Sequence, residues 1–303
     1  MNCNGSFPTV SPYIYGTTRL GDDTIPLSQR VDMAIHAMEA GVWFHTSRQY
    51  GAALEVLRMA FDTNPQKIPP LIAKIGGETI EELETSICEN LNPLNLQHLP
   101  IGQLCLGGAL AESFASGGDC YRSLRKLQQQ GIVGHFLCEV FPWTSQIALR
   151  ALQAGYADSL ISGYIFYLNP LQRFASNELW ELLQQRGERM IAMRTVAGGD
   201  VYRLRDVPGA AWKPYLQERA VEVAPLFEQA DIPDWASFCV SFAHSIPGVV
   251  ATVGSTARSQ GLAAFFKATQ CRKTLPPELM SQFYALHARW AAQTDAHAEP
   301  WTM

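Results

Sequence analysis

Short apolar runs alternate with amphipathic segments along almost the whole of this 303-residue chain. The runs have the length of strands, and the segments between them repeat apolar residues at helical spacing. Eight strand-like runs can be distinguished: Tyr13–Thr17, Val42–His45, Leu71–Ile75, Ile101–Leu106, Val133–Cys138, Leu160–Ile165, Met190–Met193 and Val249–Val253. Strand–helix alternation favours a parallel sheet, and eight repeats favour its closure into a barrel. The sequence therefore predicts an α/β protein, a single (β/α)8 TIM barrel domain over residues 1–303.

Glycines support the helices that this pattern predicts. Amphipathic patterns predict helices over Ser28–Ala40, Ala53–Phe61, Ile80–Asn90, Tyr121–Gln130 and Leu179–Arg186. Gly41, Gly131 and Gly187 directly follow three of them. Glycine is favoured just beyond a helix end because it adopts the left-handed conformation at little cost.

Three segments fall outside the repeat. Residues Gly107–Gly118 are rich in glycine and small side chains, which predicts a flexible loop after the fourth strand. Ala197–Asp234, after the seventh strand, is long and irregular and is expected to form a lid or a cofactor belt. Leu275–Thr294 predicts a helix added after the eighth repeat.

Composition excludes several classes of function. A net charge of -5 argues against a nucleic acid or an anionic membrane surface as the main partner. No apolar run reaches the roughly 18 residues of a membrane span, and the N-terminus lacks the pattern of a secretory signal. The seven cysteines are scattered without a Cys-x-x-Cys pair, which favours reduced thiols and a cytoplasmic location. Histidine and cysteine spacing indicates no metal site. We expect a small-molecule substrate.

Four polar residues lie at or just beyond the ends of predicted strands. They are His45, Tyr50, Lys74 and Cys105. Side chains at the C-terminal ends of barrel strands converge, and that is where barrel enzymes carry their chemistry. A tyrosine phenol ordinarily has a pKa of about 10, and a nearby ammonium group favours its ionised form. Tyr50 and Lys74 therefore form a candidate acid/base pair.

Several motifs, in order along the chain, resemble those of the aldo-keto reductase superfamily. They are Gly16-Thr-Thr-Arg-Leu-Gly21, the segment Ala40-Gly-Val-Trp-Phe-His-Thr-Ser-Arg-Gln-Tyr-Gly51, Leu71-Ile-Ala-Lys74, Leu127-Gln-Gln-Gln-Gly-Ile-Val-Gly-His-Phe136 and Pro247-Gly-Val-Val-Ala-Thr-Val-Gly-Ser-Thr256. A single motif would carry little weight, whereas their shared order and separations make the resemblance specific for the fold.

The resemblance implies a (β/α)8 barrel that reduces carbonyl compounds with NADPH through an Asp-Tyr-Lys-His tetrad. Tyr50 matches the proton donor and Lys74 matches its lysine. His45 stands in place of the aspartate, and Cys105 stands in place of the histidine. Because a cysteine is a weak hydrogen-bond donor, this change alone is expected to slow carbonyl reduction by roughly 10²- to 10³-fold.

The resemblance also implies a set of cofactor-binding positions. The serine–asparagine pair that holds the nicotinamide carboxamide falls on Glu139 and Val140. The remaining matches are Tyr167, for stacking on the nicotinamide ring, Arg194, and Ser255, Thr256, Arg258 and Gln260 near the phosphate and adenine groups.

Three of these residues keep alternative interpretations. His45 is either a catalytic or ligand-binding group, titrating near neutral pH, or a neutral structural donor. If it is protonated it repels Lys74, which would make the site more cationic than that of the reductases. For Cys105, a buried and inert thiol is favoured over a nucleophile. Glu139 is either a new acid/base group or a carboxylate paired with Arg194.

Three functional hypotheses follow. The first is an NADPH-dependent reductase of a small carbonyl compound, with Tyr50 as proton donor. The second is a non-redox lyase, isomerase, dehydratase or cyclase that uses His45, Tyr50, Lys74 and Glu139 as acid/base groups without nicotinamide. The third is a non-catalytic binding protein. Since one fold supports many functions, fold alone does not rank them.

Overall fold

The computed structural model describes residues 7–196, 199–200, 203–204 and 214–295. The chain forms two compact units. The first consists of the described parts of residues 1–139, 147–165 and 255–262, and the second of the described parts of residues 140–146, 166–254 and 263–303. The expected organisation as a single domain stays a prediction.

The main sheet contains the eight strands that the sequence predicts. They are β1 (Tyr13–Gly16), β2 (Trp43–Thr46), β3 (Leu71–Gly77), β4 (Leu99–Leu106), β5 (Val133–Val140), β6 (Ile161–Asn169), β7 (Met190–Met193) and β8 (Val249–Ser255). Their hydrogen-bonding order is β5-β4-β3-β2-β1-β8-β7-β6, and β5 also pairs with β6. This closed, parallel arrangement confirms the predicted (β/α)8 barrel fold.

Helices alternate with these strands. They are α1 (Leu27–Glu39), α2 (Ala53–Thr63), α3 (Ile80–Leu91), α4 (Gly108–Ala115), α5 (Asp119–Gln129), α6 (Ser145–Gln153), α7 (Asn177–Arg186), α8 (Pro214–Gln229), α9 (Trp235–His244), α10 (Ser259–Gln270) and α11 (Pro277–Asp295). The five helices predicted from amphipathic patterns are confirmed as α1, α2, α3, α5 and α7. The helix predicted over Leu275–Thr294 is confirmed as α11. None of the helices among the described residues has the length and apolar character needed to cross a bilayer.

Local sequence signals explain where these helices begin and end. The Thr79 side chain accepts a hydrogen bond from the backbone of Glu82 at 3.2 Å and so caps the start of α3. Gly41 and Gly131 follow α1 and α5 with φ angles of 68° and 71°, and Gly187 follows α7 with φ 64°. All three predicted helix-ending glycines are therefore confirmed, each in the left-handed region that favours glycine.

The predicted loop after β4 is wrong in one respect, because most of it is helix α4. Leu110 and Phe114, four residues apart, are both buried, at 4% and 1% exposure. This spacing places them on one helical face. The glycine pairs that suggested flexibility flank the helix: Gly107 is its N-cap, and the Gly118 amide donates to the Ser113 carbonyl at 2.7 Å.

The segment predicted to be irregular after β7 is also partly helical. Residues from Pro214 onward form α8, whose Leu216, Ala220 and Val223 are buried in the second unit. Pro225 lies inside this helix and masks its periodicity in the sequence. Before α8, Gly199–Asp200 pairs antiparallel with Arg203–Leu204. The predicted lid or cofactor belt otherwise falls on residues 197–198, 201–202 and 205–213, which lie outside the described residues.

Candidate active site

Three neighbouring strands of the first unit each bring a polar side chain to the same region. Lys74 lies on β3, Gln103 and Cys105 lie on β4, and Glu139 lies near the end of β5. Lys74 is in register with Gln103, and Gly76 with Cys105. Since alternate residues of a strand share a face, Gln103 and Cys105 project from the same side of β4. Together with His45 and Tyr50, these residues form what we call the strand-end cluster.

Lys74 and Glu139 form a partly buried ion pair. Lys74 Nζ donates to Glu139 Oε1 at 2.8 Å, with side-chain exposures of 19% and 2%. Burial by itself lowers the pKa of Lys74. The Glu139 carboxylate, with smaller contributions from Tyr50 and Cys105, reverses this effect and holds that pKa above its ordinary value. Lys74 is therefore a charged ammonium group. The sequence offered Arg194 as a partner for Glu139, whereas the structure gives it Lys74.

This ion pair corrects the expectation of a more cationic site. The resemblance implies an aspartate at the position of His45, and in the structure a carboxylate on a different strand supplies a negative charge to the lysine. Glu139 was predicted to be a cofactor-binding residue or a new acid/base group. In the structure it neutralises and orients Lys74.

Cys105 shares the Glu139 carboxylate. Its thiol donates to Glu139 Oε2 at 2.5 Å, while Lys74 binds the other oxygen. Burial, followed by the nearby Glu139 charge, raises the pKa of Cys105 well above its ordinary value. The protonated thiol is a weak nucleophile. These features favour the interpretation of Cys105 as an inert thiol that donates a hydrogen bond.

His45 is buried at 3% exposure and pairs with Gln103, which is fully buried. The distance between His45 Nε2 and Gln103 Oε1 is 2.6 Å. Burial, and next the charge of Lys74, lower the pKa of His45 to about 4, although the bond to Gln103 acts in the opposite direction. The expectation that His45 titrates near neutral pH is therefore wrong, and Lys74 faces a neutral ring.

Tyr50 lies in the loop between β2 and α2 and is half-buried. Its ring centroid is 6.1 Å from that of His45, and it interacts electrostatically with Lys74. The loop is fixed by close backbone packing, since a Cβ atom at Gly21 would lie 1.7 Å from the Tyr50 carbonyl oxygen. Only glycine fits at position 21 without moving this loop.

Asn90, on α3, links the Tyr50 loop to β3 and was missed by sequence reasoning. Its amide donates to the Lys74 carbonyl at 2.9 Å and accepts from the Arg48 backbone at 2.9 Å. The side chain is 1% exposed. Asn90 therefore links the backbone of Lys74 to that of the loop that carries Tyr50. An asparagine near a helix end gives no sequence signal for such a role.

The segment after β8 has the features expected of a phosphate site. The Ser255 hydroxyl accepts from the Arg19 backbone at 2.9 Å, and the Tyr15 hydroxyl donates to the Thr256 carbonyl at 2.7 Å. Helix α10 then begins at Ser259 with no acidic residue in its first turn, and both Arg258 and Gln260 are exposed beside it. A helix N-terminus next to an arginine favours an anion. Ser255, Thr256, Arg258 and Gln260 therefore form a candidate site for an anion such as a phosphate group.

The residues predicted to hold the nicotinamide do not match that group as well. Both oxygens of Glu139 are already bonded, and the neighbouring Val140 is buried and apolar. In the second unit, the Tyr167 ring stacks on Phe174 with centroids 4.5 Å apart. The Arg194 guanidinium lies over the Tyr167 ring at 5.0 Å. The side chains therefore do not reproduce the reductase carboxamide anchors, and Tyr167 already stacks within the protein.

Comparison with known proteins places the fold. No protein-family model matches the sequence, and no curated protein matches it. The structure is similar to the holo form of aldo-keto reductase AKR11C1 from Bacillus halodurans, with a TM-score of 0.69, 19% identity and 94% of each chain covered. Similar too is an aldo/keto reductase from Klebsiella pneumoniae in complex with NADP and acetate, with a TM-score of 0.65, 17% identity and 92% of each chain covered.

A further aldo-keto reductase from Klebsiella pneumoniae, in complex with NADPH, gives a TM-score of 0.66 at 16% identity, again over 92% of each chain. The fold of this chain is that of the aldo-keto reductases, which confirms the fold that the sequence motifs imply.

Proposed function

We propose that this protein is an aldo-keto-reductase-like oxidoreductase that interconverts a small carbonyl compound and its alcohol, with Tyr50 as the group that exchanges the proton. The observation that carries this proposal is the Lys74–Glu139 ion pair, 2.8 Å long, which couples electrostatically to Tyr50. It supplies a charged lysine beside the tyrosine although the aspartate of the reductase tetrad is absent.

The chemistry of the residues supports this role. In the direction of reduction, Tyr50 Oη donates its proton to the carbonyl oxygen, and the resulting phenolate is stabilised by the Lys74 ammonium group. Glu139 keeps Lys74 charged. Cys105 donates to Glu139 and so holds the second carboxylate oxygen in place. In the reverse direction the phenolate accepts the proton of the alcohol.

NADPH, when bound, would supply the hydride to the carbonyl carbon. Ser255, Thr256, Arg258 and Gln260 are the residues that would hold its phosphate-bearing half. The fixed loop around Ser255 and the N-terminus of α10 support this assignment. Two structures of similar fold are complexes with NADP and with NADPH, which is additional support.

A second function is favoured by one specific observation. Glu139 uses both of its oxygens within the strand-end cluster, and Val140 offers no polar side chain for a carboxamide. This arrangement suits a non-redox enzyme in which Tyr50 and Lys74 move protons on a substrate, without nicotinamide. A lyase, isomerase, dehydratase or cyclase would use the same acid/base pair.

Binding and turnover with NADPH separate these two functions. Calorimetric titration with NADPH and with NADH measures binding, and a panel of aliphatic and aromatic aldehydes with NADPH measures turnover. We expect NADPH to bind more tightly than NADH, and Tyr50→Phe to reduce aldehyde turnover by roughly 10²- to 10⁴-fold while NADPH binding persists. Tyr156→Phe, at an exposed position, is the matched control and should retain full turnover. Absence of NADPH binding at millimolar concentration would reject the oxidoreductase and leave the non-redox enzyme and the non-catalytic binding protein.

A further inference from the structure

The hydrogen bond between His45 and Gln103 determines which nitrogen of the His45 imidazole carries the proton. His45 Nε2 lies 2.6 Å from Gln103 Oε1, and both side chains are buried. An amide oxygen accepts hydrogen bonds and donates none, so the proton of this bond belongs to Nε2. Burial and the nearby Lys74 charge keep the ring neutral, so its second nitrogen, Nδ1, carries a lone pair. The imidazole has one defined tautomer because a neighbouring strand supplies the acceptor.

We propose that Gln103 is a positioning residue, which fixes the proton of the uncharged His45 imidazole on Nε2 and so sets the tautomer that Lys74 and Tyr50 face. For its catalytic consequence this inference rests on the proposed function. Gln103 acts through His45 and not through contact with a substrate.

Neutrality of His45 matters because of the charged groups around it. Lys74 on β3 interacts electrostatically with both His45 and Tyr50, and Glu139 on β5 supplies one negative charge to Lys74. A protonated His45 would bring a second cation to this cluster without a second anion. The two cations would repel each other, and the lysine would be driven toward its neutral form. An uncharged imidazole leaves the charge of the Lys74–Glu139 pair balanced.

NMR of protein labelled with ¹⁵N-histidine tests the tautomer directly, with His45→Asn used to assign the signal. Two-bond proton–nitrogen correlations distinguish protonated from unprotonated ring nitrogens. We expect His45 in the intact protein to show a protonated Nε2 and an unprotonated Nδ1 from pH 8 to pH 5.5. A protonated Nδ1, or a doubly protonated ring across this range, would overturn the proposal without any variant.

Two substitutions at Gln103 extend the test. Gln103→Leu removes the acceptor, so the His45 signal should change to the other tautomer or to a mixture. Gln103→Glu adds a carboxylate, which should raise the pKa of His45 by about 1 to 3 pH units from its value of about 4, so that the ring begins to protonate above pH 5. An unchanged tautomer in Gln103→Leu would contradict a positioning role.

The catalytic consequence has its own readout. With NADPH and an aldehyde as probes, Gln103→Glu should lower kcat on the acid side of the pH profile and leave KM nearly unchanged, and Gln103→Leu should lack this acid limb. If the NMR result holds and no aldehyde is reduced by the intact protein, the positioning role stands and the proposed oxidoreductase function fails. If turnover is observed but the Gln103→Glu profile equals that of the intact protein, the catalytic part of this inference is wrong.

Discussion

The strand-end cluster contains two hydrogen-bonded pairs, each with one basic side chain, and the pairs differ in charge. Lys74 and Glu139 form an ionised pair at 2.8 Å, and His45 and Gln103 form a neutral pair at 2.6 Å. Burial pushes the basic group of each pair toward its neutral form. The lysine stays charged because its partner is a carboxylate. The histidine is neutral because burial and the Lys74 charge outweigh its hydrogen bond to an amide oxygen.

This difference shows that burial neutralises a base unless its partner carries the opposite charge. A carboxylate within hydrogen-bond distance offsets the desolvation of an ammonium group, and an amide oxygen cannot do the same for an imidazolium. The cluster can therefore place one cation beside Tyr50 and keep a second base neutral at neutral pH.

The largest effect is expected from Lys74→Met, which removes the cation from the ionised pair. The Glu139 carboxylate, 2% exposed, would be left without its partner. Breaking a buried pair in this way costs about 3–5 kcal/mol, and loss of the group that supports Tyr50 should reduce aldehyde turnover by roughly 10²- to 10⁴-fold. Urea unfolding and steady-state kinetics check this. Lys67→Met, at an exposed position, is the control and should behave like the intact protein.

The buried, neutral His45 should make the protein less stable as the pH falls from 6.5 to 4, by an amount similar to the loss expected for Lys74→Met. Because the pKa of His45 is lowered from about 6.5 to about 4, the unfolded chain binds a proton in this range while the folded protein does not. Stability therefore rises with pH from about 4 to about 6.5, by about 3 kcal/mol in total.

His45→Asn should remove this contribution, so its unfolding free energy should change less steeply with pH between 6.5 and 4. The exposed His36→Asn serves as the comparison and should keep the slope of the intact protein. Equal slopes for His45→Asn and the intact protein would show that His45 protonates freely in the folded state.

Glu139→Gln should cost less than Lys74→Met, because the lysine it leaves behind is 19% exposed and reaches water. We expect a loss of about 1–3 kcal/mol at pH 7. The pKa of Lys74 is raised in the folded protein, so the contribution of the pair is fully present below the ordinary lysine pKa of about 10.5 and is lost as the pH rises beyond it. On the alkaline side, the difference between the intact protein and Glu139→Gln, measured by urea unfolding, should therefore shrink above pH 10.5.

The smallest effect is expected at Cys105. Its thiol donates to Glu139, but Lys74 already balances the charge of this carboxylate. Cys105→Ala should cost no more than about 1 kcal/mol, and Cys105→Ser, which keeps a donor, should lie close to the intact protein. Turnover measured in both variants checks the inert role, since a nucleophilic thiol would make Cys105→Ala inactive.

The fold could be predicted from the sequence because it depends on local patterns. Eight apolar runs matched the eight barrel strands, and glycines such as Gly41 and Gly131 marked helix ends. The error at Gly107–Gly118 arose because glycines that cap α4 have the same composition as a flexible loop. Leu110 and Phe114, four residues apart, were the signal that indicated a helix.

The candidate site could be predicted only in part, since its chemistry depends on side chains from strands that are distant in the sequence. His45, Tyr50, Lys74 and Cys105 could be located at strand ends, but the pairing of Lys74 with Glu139 could not. These two residues are 65 positions apart, on strands that lie on either side of β4. Whether their side chains come into contact depends on side-chain length and on packing, which sequence motifs do not show.

Glu139 is the anionic partner of Lys74 in the strand-end cluster. A double-mutant cycle of Lys74→Met and Glu139→Gln, followed by urea unfolding at pH 7, measures the strength of this pair. We expect the double variant to be more stable than the sum of the two single losses implies, with a coupling free energy of about 2 kcal/mol or more. Additivity within about 0.5 kcal/mol would show that the two side chains do not stabilise each other.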